Sequence, residues 1–238
     1  MLQINDILVF CILFGANLLQ AITGFAGTLI SMPPVIKLIG VDEAKALLNA
    51  IAQISSLMIV ITGWRHINWK EFGKMFVLMS LGMLAGIWLF ELFPLKQLLI
   101  LYGVMIILIA LQRLFGKTSR ELPKTVMLLL LFAAGIIHGM FVSGGALLVV
   151  YAAAVLRDKE EFRATVALIW VTIGCYMTGT QIQAGHFNPH VLFLIAAGIV
   201  PVLIGTWIGT GLVRKIRQET FMNLTYVLLL LSGLMAII

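Results

Sequence analysis

Two glycine-rich segments of the chain have the composition of an anion-binding site. The first runs from Thr23 to Gly27 and reads Thr-Gly-Phe-Ala-Gly, and the second runs from Ser143 to Gly145 and reads Ser-Gly-Gly. Each separates two apolar blocks, so we expect the backbone to leave helical geometry at both places. A helix that begins after such a break presents free N–H groups and the positive end of its dipole. Two such helix starts that face one point would bind an anion without a fixed cation.

Neutral polar side chains accompany both breaks. Asn49 and Gln53 are four residues apart and share one helix face, as do Thr172 and Tyr176. Donors of this kind suit a desolvated oxyanion. The alternative is that such side chains join transmembrane helices and that glycine allows the helices to pack closely. The candidate substrate-binding residues are Gln20, Thr23, Gly24, Gly27, Thr28, Asn49, Gln53, His138, Ser143, Gly144, Gly145, Thr172 and Tyr176.

His138 is the one titratable side chain that the sequence places well inside an apolar block. An ionisable group at such a position is a functional hypothesis by default, and a neutral imidazole bonded to a backbone carbonyl is the alternative. With Ser143 it could form the base and nucleophile of an intramembrane enzyme. The two residues fall on different helix faces, however, and neither a metal-ligand cluster nor paired carboxylates accompany them. We therefore expect no enzyme and no cofactor.

The elements that hold these residues are predicted to be membrane-spanning helices. Of the 238 residues 61% are hydrophobic and 11% are charged, whereas an ordinary soluble domain has about 25% charged residues. The net charge of +6 is spread over separate loops, which argues against a nucleic-acid partner. Most apolar blocks approach the ~20 residues that cross a bilayer. The blocks cover residues 7–22, 25–39, 46–63, 74–92, 97–114, 124–141, 144–156, 164–183, 190–212 and 218–238.

The chain also repeats itself after 120 residues. This offset places Gly24 on Gly144, and it brings the two short blocks, 25–39 and 144–156, into register. The sequence therefore predicts a first repeat over 1–118 and a second over 119–238, together forming a single membrane domain. Further aligned pairs are His66 with His186, Asn68 with Asn188 and, after a gap of one residue, Gly86 with Gly205 and Trp88 with Trp207.

The distribution of basic residues predicts that the second repeat is inverted. If each short block returns to the side from which the preceding block came, 13 of the 16 basic residues, Arg163 among them, fall in loops on one side. The other side receives only Lys37, Lys45 and Lys96. If each broken pair is one span, the count becomes 7 against 9. Only the inverted arrangement follows the positive-inside rule; it places both termini outside the cytoplasm. Re-entrant hairpins and full spans remain alternatives for the broken pairs.

These features predict an all-α polytopic membrane protein of two inverted-topology repeats, each with about five hydrophobic segments and a Gly-broken helix pair. Eight to ten membrane segments are expected. Inverted repeats that meet at interrupted helices are typical of secondary transporters, which bind substrate near the midplane between the repeats.

The layout resembles a known family. A Gly-rich break in the first helix of each half, Pro33 and Pro34 soon after the first break, and an Ala-rich helix beyond it resemble the sulfite exporter TauE/SafE family, also described as toluene sulfonate uptake permeases. The family's glycine motif falls on Gly24 and Gly27 and, in the second half, on Gly144 and Gly145. The first motif departs from the family's consecutive glycines. The resemblance implies an inner-membrane transporter of sulfite or of an organosulfonate.

The function predicted from the sequence is a secondary transporter that moves a small sulfur-containing anion across the cell inner membrane by alternating access, with the substrate between the repeats. An anion channel is the alternative. The expected partners are the small anion and the lipid bilayer, with a homodimer left open and no nucleic acid. Because no carboxylate lies in the middle of an apolar block, coupling to Na⁺ or H⁺ through Asp or Glu is not expected.

Overall fold

The chain folds into a bundle of helices that run through most of its length. The computed structural model describes residues 4–92, 96–97, 100, 103–104, 107–108, 110–111, 123–213 and 215–237. Nine α-helices are complete within these ranges, and no strand occurs in them. They are α1 (Ile4–Thr23), α2 (Ala26–Ile39), α3 (Val41–Gly63), α4 (Trp69–Leu92), α5 (Lys124–Phe141), α6 (Gly145–Val155), α7 (Lys159–Gln183), α8 (Pro189–Val213) and α9 (Gln218–Ile237).

Helix length and composition confirm the predicted all-α membrane protein. Among the described residues, six helices are long and apolar enough to cross a membrane: α1, α3, α4, α5, α7 and α8. The two helices that follow the breaks, α2 and α6, are apolar but shorter. Most of the predicted block 97–114 lies outside the described residues, and the part that is described is helical.

Helices α3 and α7 begin five residues before the apolar blocks predicted for them, because charged residues form their first turns. Both first turns are acidic, with Asp42 in α3 and Glu160 in α7 among their residues. Acidic side chains favour helix N-termini because they complement the positive end of the dipole. Asp158 caps α7, its carboxylate accepting the N–H groups of Glu160 and Glu161 at 3.0 Å each.

Glycines allow two helix pairs to pack backbone against backbone. Helix α4 packs along α5, and α1 packs along α8. A Cβ on Gly86 of α4 would overlap the carbonyl group of Ile136 in α5, and one on Gly209 of α8 would lie 2.5 Å from the carbonyl oxygen of Leu18 in α1. Small residues at helix interfaces are the usual means of close packing in membranes.

Helices α3 and α7 pack against each other in the middle of the bundle. Large apolar side chains such as Phe25, Phe141 and Ile51 are almost completely buried around them. The outer surface is also apolar, since Trp88 is 63% and Trp207 is 73% exposed. An apolar exterior is what lipid-facing helices require, because the acyl chains take the place of water as solvent.

Candidate functional site

The first break separates α1 from α2, and its backbone donors are already occupied. Gly24 has a φ of +84°, a left-handed conformation that favours glycine. The hydroxyl of Thr23 accepts the N–H of Ala26 at 3.1 Å, and the side-chain oxygen of Gln20 accepts the N–H of Gly27 at 2.8 Å. The expectation of free N–H groups at the start of α2 is therefore wrong for Ala26 and Gly27.

The second break differs because its N-cap residue, Gly144, makes no side-chain hydrogen bond to the helix that follows it. Val142 ends α5 in the left-handed region, with a φ of 54°, and its N–H donates to the carbonyl of His138 at 2.7 Å. The first backbone bond of α6 runs from Leu148 N–H to the Gly144 carbonyl at 3.2 Å. The N–H groups of Gly145 to Leu147 precede that bond, so they have no acceptor within the helix, and Gly144 has no side chain to supply one. The sequence predicts free N–H groups at two helix starts. Of these two, the start of α6 is the one whose N–H groups have no acceptor within the helix.

The two breaks meet inside the bundle. A Cβ on Gly145 would lie 3.2 Å from the ring of Phe25, which belongs to the first break. Trp170 bridges the breaks, since its indole N–H donates to the Gly24 carbonyl at 2.7 Å and its ring stacks on His138 with 5.2 Å between the centroids. Trp170 lies halfway along α7, so the breaks meet well away from the ends of that helix. The sequence analysis missed this residue, although a tryptophan in the middle of a span, outside the interfacial belt, is an unusual position.

His138 is buried beside the second break with no polar contact. Its side chain is 4% exposed, and neither ring nitrogen has a hydrogen-bond partner in the described part of the chain. A buried polar group without a partner loses about 1 to 3 kcal/mol of solvation, and such groups are rare in native structures. The carbonyl bond offered as the alternative role of His138 is not found among the described residues. Ser143, also buried, follows it in the break.

Asn49 and Gln53 face α7, where they join the two central helices. The Asn49 amide donates to the Gly174 carbonyl at 3.2 Å, to the Thr178 hydroxyl at 2.9 Å and to the Gln181 side-chain oxygen at 3.1 Å. Gln53 donates to the same Thr178 hydroxyl at 2.6 Å. We call this set of five residues the polar seam. Its hydrogen bonds join α3 to α7, which is the alternative role that the sequence left open for these amides. Thr178 and Gln181 were not predicted.

Gln20 and Thr28 line a small cavity beside the first break, between α1, α2 and α3. The cavity has a volume of about 10 Å³, which is enough for roughly one water molecule. It cannot hold an oxyanion, so the structure is closed at this position. The lining residues are Asn17, Gln20, Gly27, Thr28, Ser31, Leu48, Ile51 and Ala52.

Thr172 and Tyr176 are not brought to the breaks. The hydroxyl of Thr172 donates to the carbonyls of Leu168 and Ile169 in its own helix, at 2.9 and 3.0 Å. The Tyr176 side chain is 48% exposed on the outside of the bundle. The two share a face of α7, as their spacing predicts, but Trp170 and the polar seam occupy the faces of α7 that meet the rest of the bundle.

Two larger cavities lie at opposite ends of the α3 and α7 pair. The Lys45 cavity, of about 360 Å³, lies where α3 begins and α7 ends, and the Arg163 cavity, of about 200 Å³, lies where α3 ends and α7 begins. The Lys45 cavity is lined by Asp42, Lys45, Ile87, Phe90, Gly139, Met177, Thr180, Gln181, Ala184 and His186. The Arg163 cavity is lined by Thr62, Gly63, His66, Glu160, Arg163 and Thr210.

Arg163 is a buried cation at the first break, although the sequence analysis assigned it to a loop. It lies in α7 and is 2% exposed. Its guanidinium donates to the Ala21 carbonyl at the end of α1 and to the Thr210 hydroxyl of α8 at 2.6 Å, and its Cα would lie 3.3 Å from a Cβ on Gly24. A cation at this end of α1 complements the negative end of the helix dipole. Arg163 therefore places a fixed cation beside the first break, which the sequence did not predict.

Replacing Gln20 by alanine is expected to destabilise the protein by about 1 to 3 kcal/mol. The change leaves the buried Gly27 N–H without its acceptor, and a buried donor without a partner loses its solvation. Thermal unfolding of the purified protein in detergent measures the effect. Gln183→Ala, which removes an exposed glutamine at the end of α7, is the matched control. Equal melting temperatures for the two variants would contradict the capping role of Gln20.

Comparisons with known proteins agree with this structure. The family model described as sulfite exporter TauE/SafE matches residues 8–236. A protein of Comamonas testosteroni described as "Probable inner membrane transporter protein TsaS" is 26% identical over 176 residues, which make up 72% of this chain and 73% of that protein. No solved structure matches the chain significantly. Both matches point to membrane transport rather than catalysis, and the first covers both breaks, five of the six spans and most of α1. The resemblance noted in the sequence is confirmed: the chain belongs to the sulfite exporter TauE/SafE family.

Proposed function

We propose that the protein is a secondary transporter that moves sulfite or a small organosulfonate across the inner membrane by alternating access. The anion binds between the two halves of the chain, at the second break. The observation that carries this proposal is His138, a buried imidazole with no partner in the described chain, beside the uncapped start of α6. Family membership supports the class of substrate.

The donors at the second break suit the head group of a sulfonate. The N–H groups of Gly145 to Leu147 point out of the start of α6, where the dipole favours negative charge. A neutral His138 adds one N–H, and hydrogen bonds to an ionised acceptor are stronger than neutral ones. Trp170 fixes the ring plane of His138 through stacking, while its own N–H is held by the Gly24 carbonyl. Trp170 therefore positions the imidazole and leaves the ring nitrogens of His138 available for the anion.

The pattern of helix packing supports the proposed inverted repeats. The 120-residue offset maps α1 onto α5 and α4 onto α8. The packed pair α4 and α5 therefore corresponds to the packed pair α8 and α1, and α3 corresponds to α7, its own partner. Each half therefore packs its helices against those of the other half in the same way. This arrangement is expected when two repeats are related by a twofold axis.

The two aligned asparagines also have the same contacts. Asn68 accepts an N–H in the first turn of α4 and donates to Glu161 in the other half at 2.7 Å. Asn188 accepts an N–H in the first turn of α8 and donates to Glu43 in the other half at 2.6 Å. Each asparagine caps one helix and connects it to the first turn of α3 or α7 in the opposite repeat.

The arrangement of the cavities supports alternating access. The Lys45 and Arg163 cavities lie at opposite ends of α3 and α7, and the cavity at Gln20 between them has room for about one water molecule. Because the cavity at Gln20 is too small for an oxyanion, we expect the halves to move before an anion can pass this position. Rocking of one repeat against the other about a central site is the usual mechanism in transporters with inverted repeats.

Uptake by proteoliposomes tests this proposal. The purified protein is reconstituted, and the initial rates of uptake of radiolabelled sulfite, sulfate, thiosulfate and a short alkanesulfonate are compared with those of protein-free liposomes. We expect saturable uptake of sulfite or of the alkanesulfonate. If the protein mediates the uptake of none of the four anions, the proposal is contradicted.

A further inference from the structure

We propose that the Lys45 cavity is a second anion-binding site, separate from the one at the second break, and that it takes an organosulfonate with a short apolar group. Lys45 is 8% exposed, and its ammonium lies 3.9 Å from the centre of the Phe90 ring. Within the ranges that the structure describes, no carboxylate oxygen lies within 4.0 Å of this ammonium. Asp42, on the rim of the cavity, is exposed to the outside.

Two further polar groups of this cavity lack partners. Gln181 is 4% exposed, and its side-chain nitrogen has no hydrogen-bond partner among the described residues. The donation from Asn49 to the Gln181 oxygen fixes the orientation of that amide, so the nitrogen is the free end. Nδ1 of His186 is likewise buried without a partner in the described chain. One cavity therefore combines the Lys45 ammonium, which lies over the Phe90 ring, with an amide nitrogen and an imidazole nitrogen that have no hydrogen-bond partner among the described residues.

A bound anion would satisfy these groups. A buried charge is costly unless it is paired, and a ring face compensates an ammonium less well than an oxyanion does. The sulfonate head would accept hydrogen bonds from Lys45 and from Gln181. Ile87, Phe90 and Met177 would surround the apolar tail. The volume of about 360 Å³ lies in the range of small-molecule sites.

The position of the cavity gives the site a place in the transport path. The Asp6 carboxylate of α1 accepts a hydrogen bond from Nε2 of His190 in α8 at 3.0 Å, and the other ring nitrogen of His190 lies 3.7 Å from Glu43 of α3. The starts of α1, α3 and α8 therefore share one face of the bundle, and the Lys45 cavity opens at that face. The site would hold the anion at this face either before the anion reaches the second break or after it leaves it, according to the direction of transport. This role rests on the proposed function, whereas the binding itself does not.

Protection of an introduced cysteine tests the binding directly. Thr180 lines the cavity, and Thr180→Cys would be made in a chain whose two exposed native cysteines, Cys11 and Cys175, are replaced by serine. The rate of labelling by a membrane-impermeant maleimide is measured at increasing concentrations of butanesulfonate. We expect butanesulfonate to slow the labelling, and we expect butan-1-ol at the same concentrations to have no effect.

Variants in the same background identify the group that binds. Lys45→Met should raise the protecting concentration about tenfold or more, since a charge-assisted hydrogen bond is lost, and Lys45→Arg should restore protection. Lys37→Met removes an exposed lysine at the end of α2 and is the matched control. His138→Phe should lower uptake at low substrate concentration by about 10- to 100-fold but leave protection intact. Size-exclusion profiles and melting temperatures show that each variant is folded.

Three results would overturn the second site. They are wild-type protection in the Lys45→Met protein, an equal loss of protection in the Lys37→Met protein, and loss of protection in the His138→Phe protein. The last would show that cysteine labelling reports the site at the second break. If wild-type protein shows protection but no transport, the proposed function fails and the second site stands.

Discussion

The His138→Phe protein is expected to take up the substrate anion with an apparent affinity about 10- to 100-fold below that of wild type. Phenylalanine retains an aromatic ring to stack on Trp170 but removes both ring nitrogens. A hydrogen bond to a charged group contributes about 1.5 to 3 kcal/mol, which corresponds to one to two orders of magnitude in binding. The concentration dependence of initial uptake rates in proteoliposomes measures the change.

A second substitution separates loss of the donor from loss of the ring. Glutamine at position 138 lacks the aromatic ring but has an N–H donor, so we expect His138→Gln to bind more tightly than His138→Phe. If His138→Phe takes up the anion with wild-type affinity, the buried imidazole is not a ligand. The site would then have to be sought at Gln20 or in the polar seam.

The Gly86→Leu protein is expected to lose its folded state in detergent, with a destabilisation of about 3 kcal/mol or more. A Cβ at Gly86 would overlap the carbonyl of Ile136, so α4 and α5 would have to move apart. Backbone atoms cannot move aside as a flexible side chain can, and the close packing of the pair would be lost over its length. Thermal unfolding and the yield of monodisperse protein measure the effect.

Gly73→Leu is the matched control, since it makes the same substitution in the same helix. Apart from its chain neighbours and the backbone of its own helix, no heavy atom of the described chain lies within 4 Å of a Cβ at Gly73. Leucine favours helix by up to ~1 kcal/mol over glycine, so this variant should melt at the wild-type temperature or slightly above it. Equal stability of the Gly86→Leu and Gly73→Leu proteins would contradict the packing of α4 on α5 through this glycine.

The sequence was sufficient to place the helices because their apolar blocks reflect the membrane directly. The block predicted at 124–141 has the limits of α5, and the short blocks at 25–39 and 144–156 became α2 and α6 with their ends moved by one residue at most. The starts of α3, α4 and α7, each of which lies five residues before its predicted block, could not be found in this way. Their first turns are charged, so hydrophobicity alone ends the segment too early, although the acidic residues favour a helix N-terminus.

The candidate site could be predicted only in part. Glycine spacing is visible in neighbouring residues, whereas side-chain contacts join residues that are far apart in the chain. Gln20, Thr23 and Gly24 lie within five residues of one another, so the first break could be read from adjacent positions. Trp170 and Arg163 reach that break from 146 and 142 residues away in the chain. A helix face can be deduced from spacing, as for Thr172 and Tyr176, but the neighbour that it meets depends on the tertiary packing.

Counterflow in proteoliposomes tests the proposed mechanism most directly. Vesicles are loaded with an unlabelled alkanesulfonate or sulfite, and the entry of a trace of the same radiolabelled anion is followed. Alternating access predicts that the internal anion transiently drives accumulation of label above its equilibrium level and that the effect saturates. Label that only equilibrates, together with an anion conductance beyond the turnover of a carrier, would identify a channel and contradict this account.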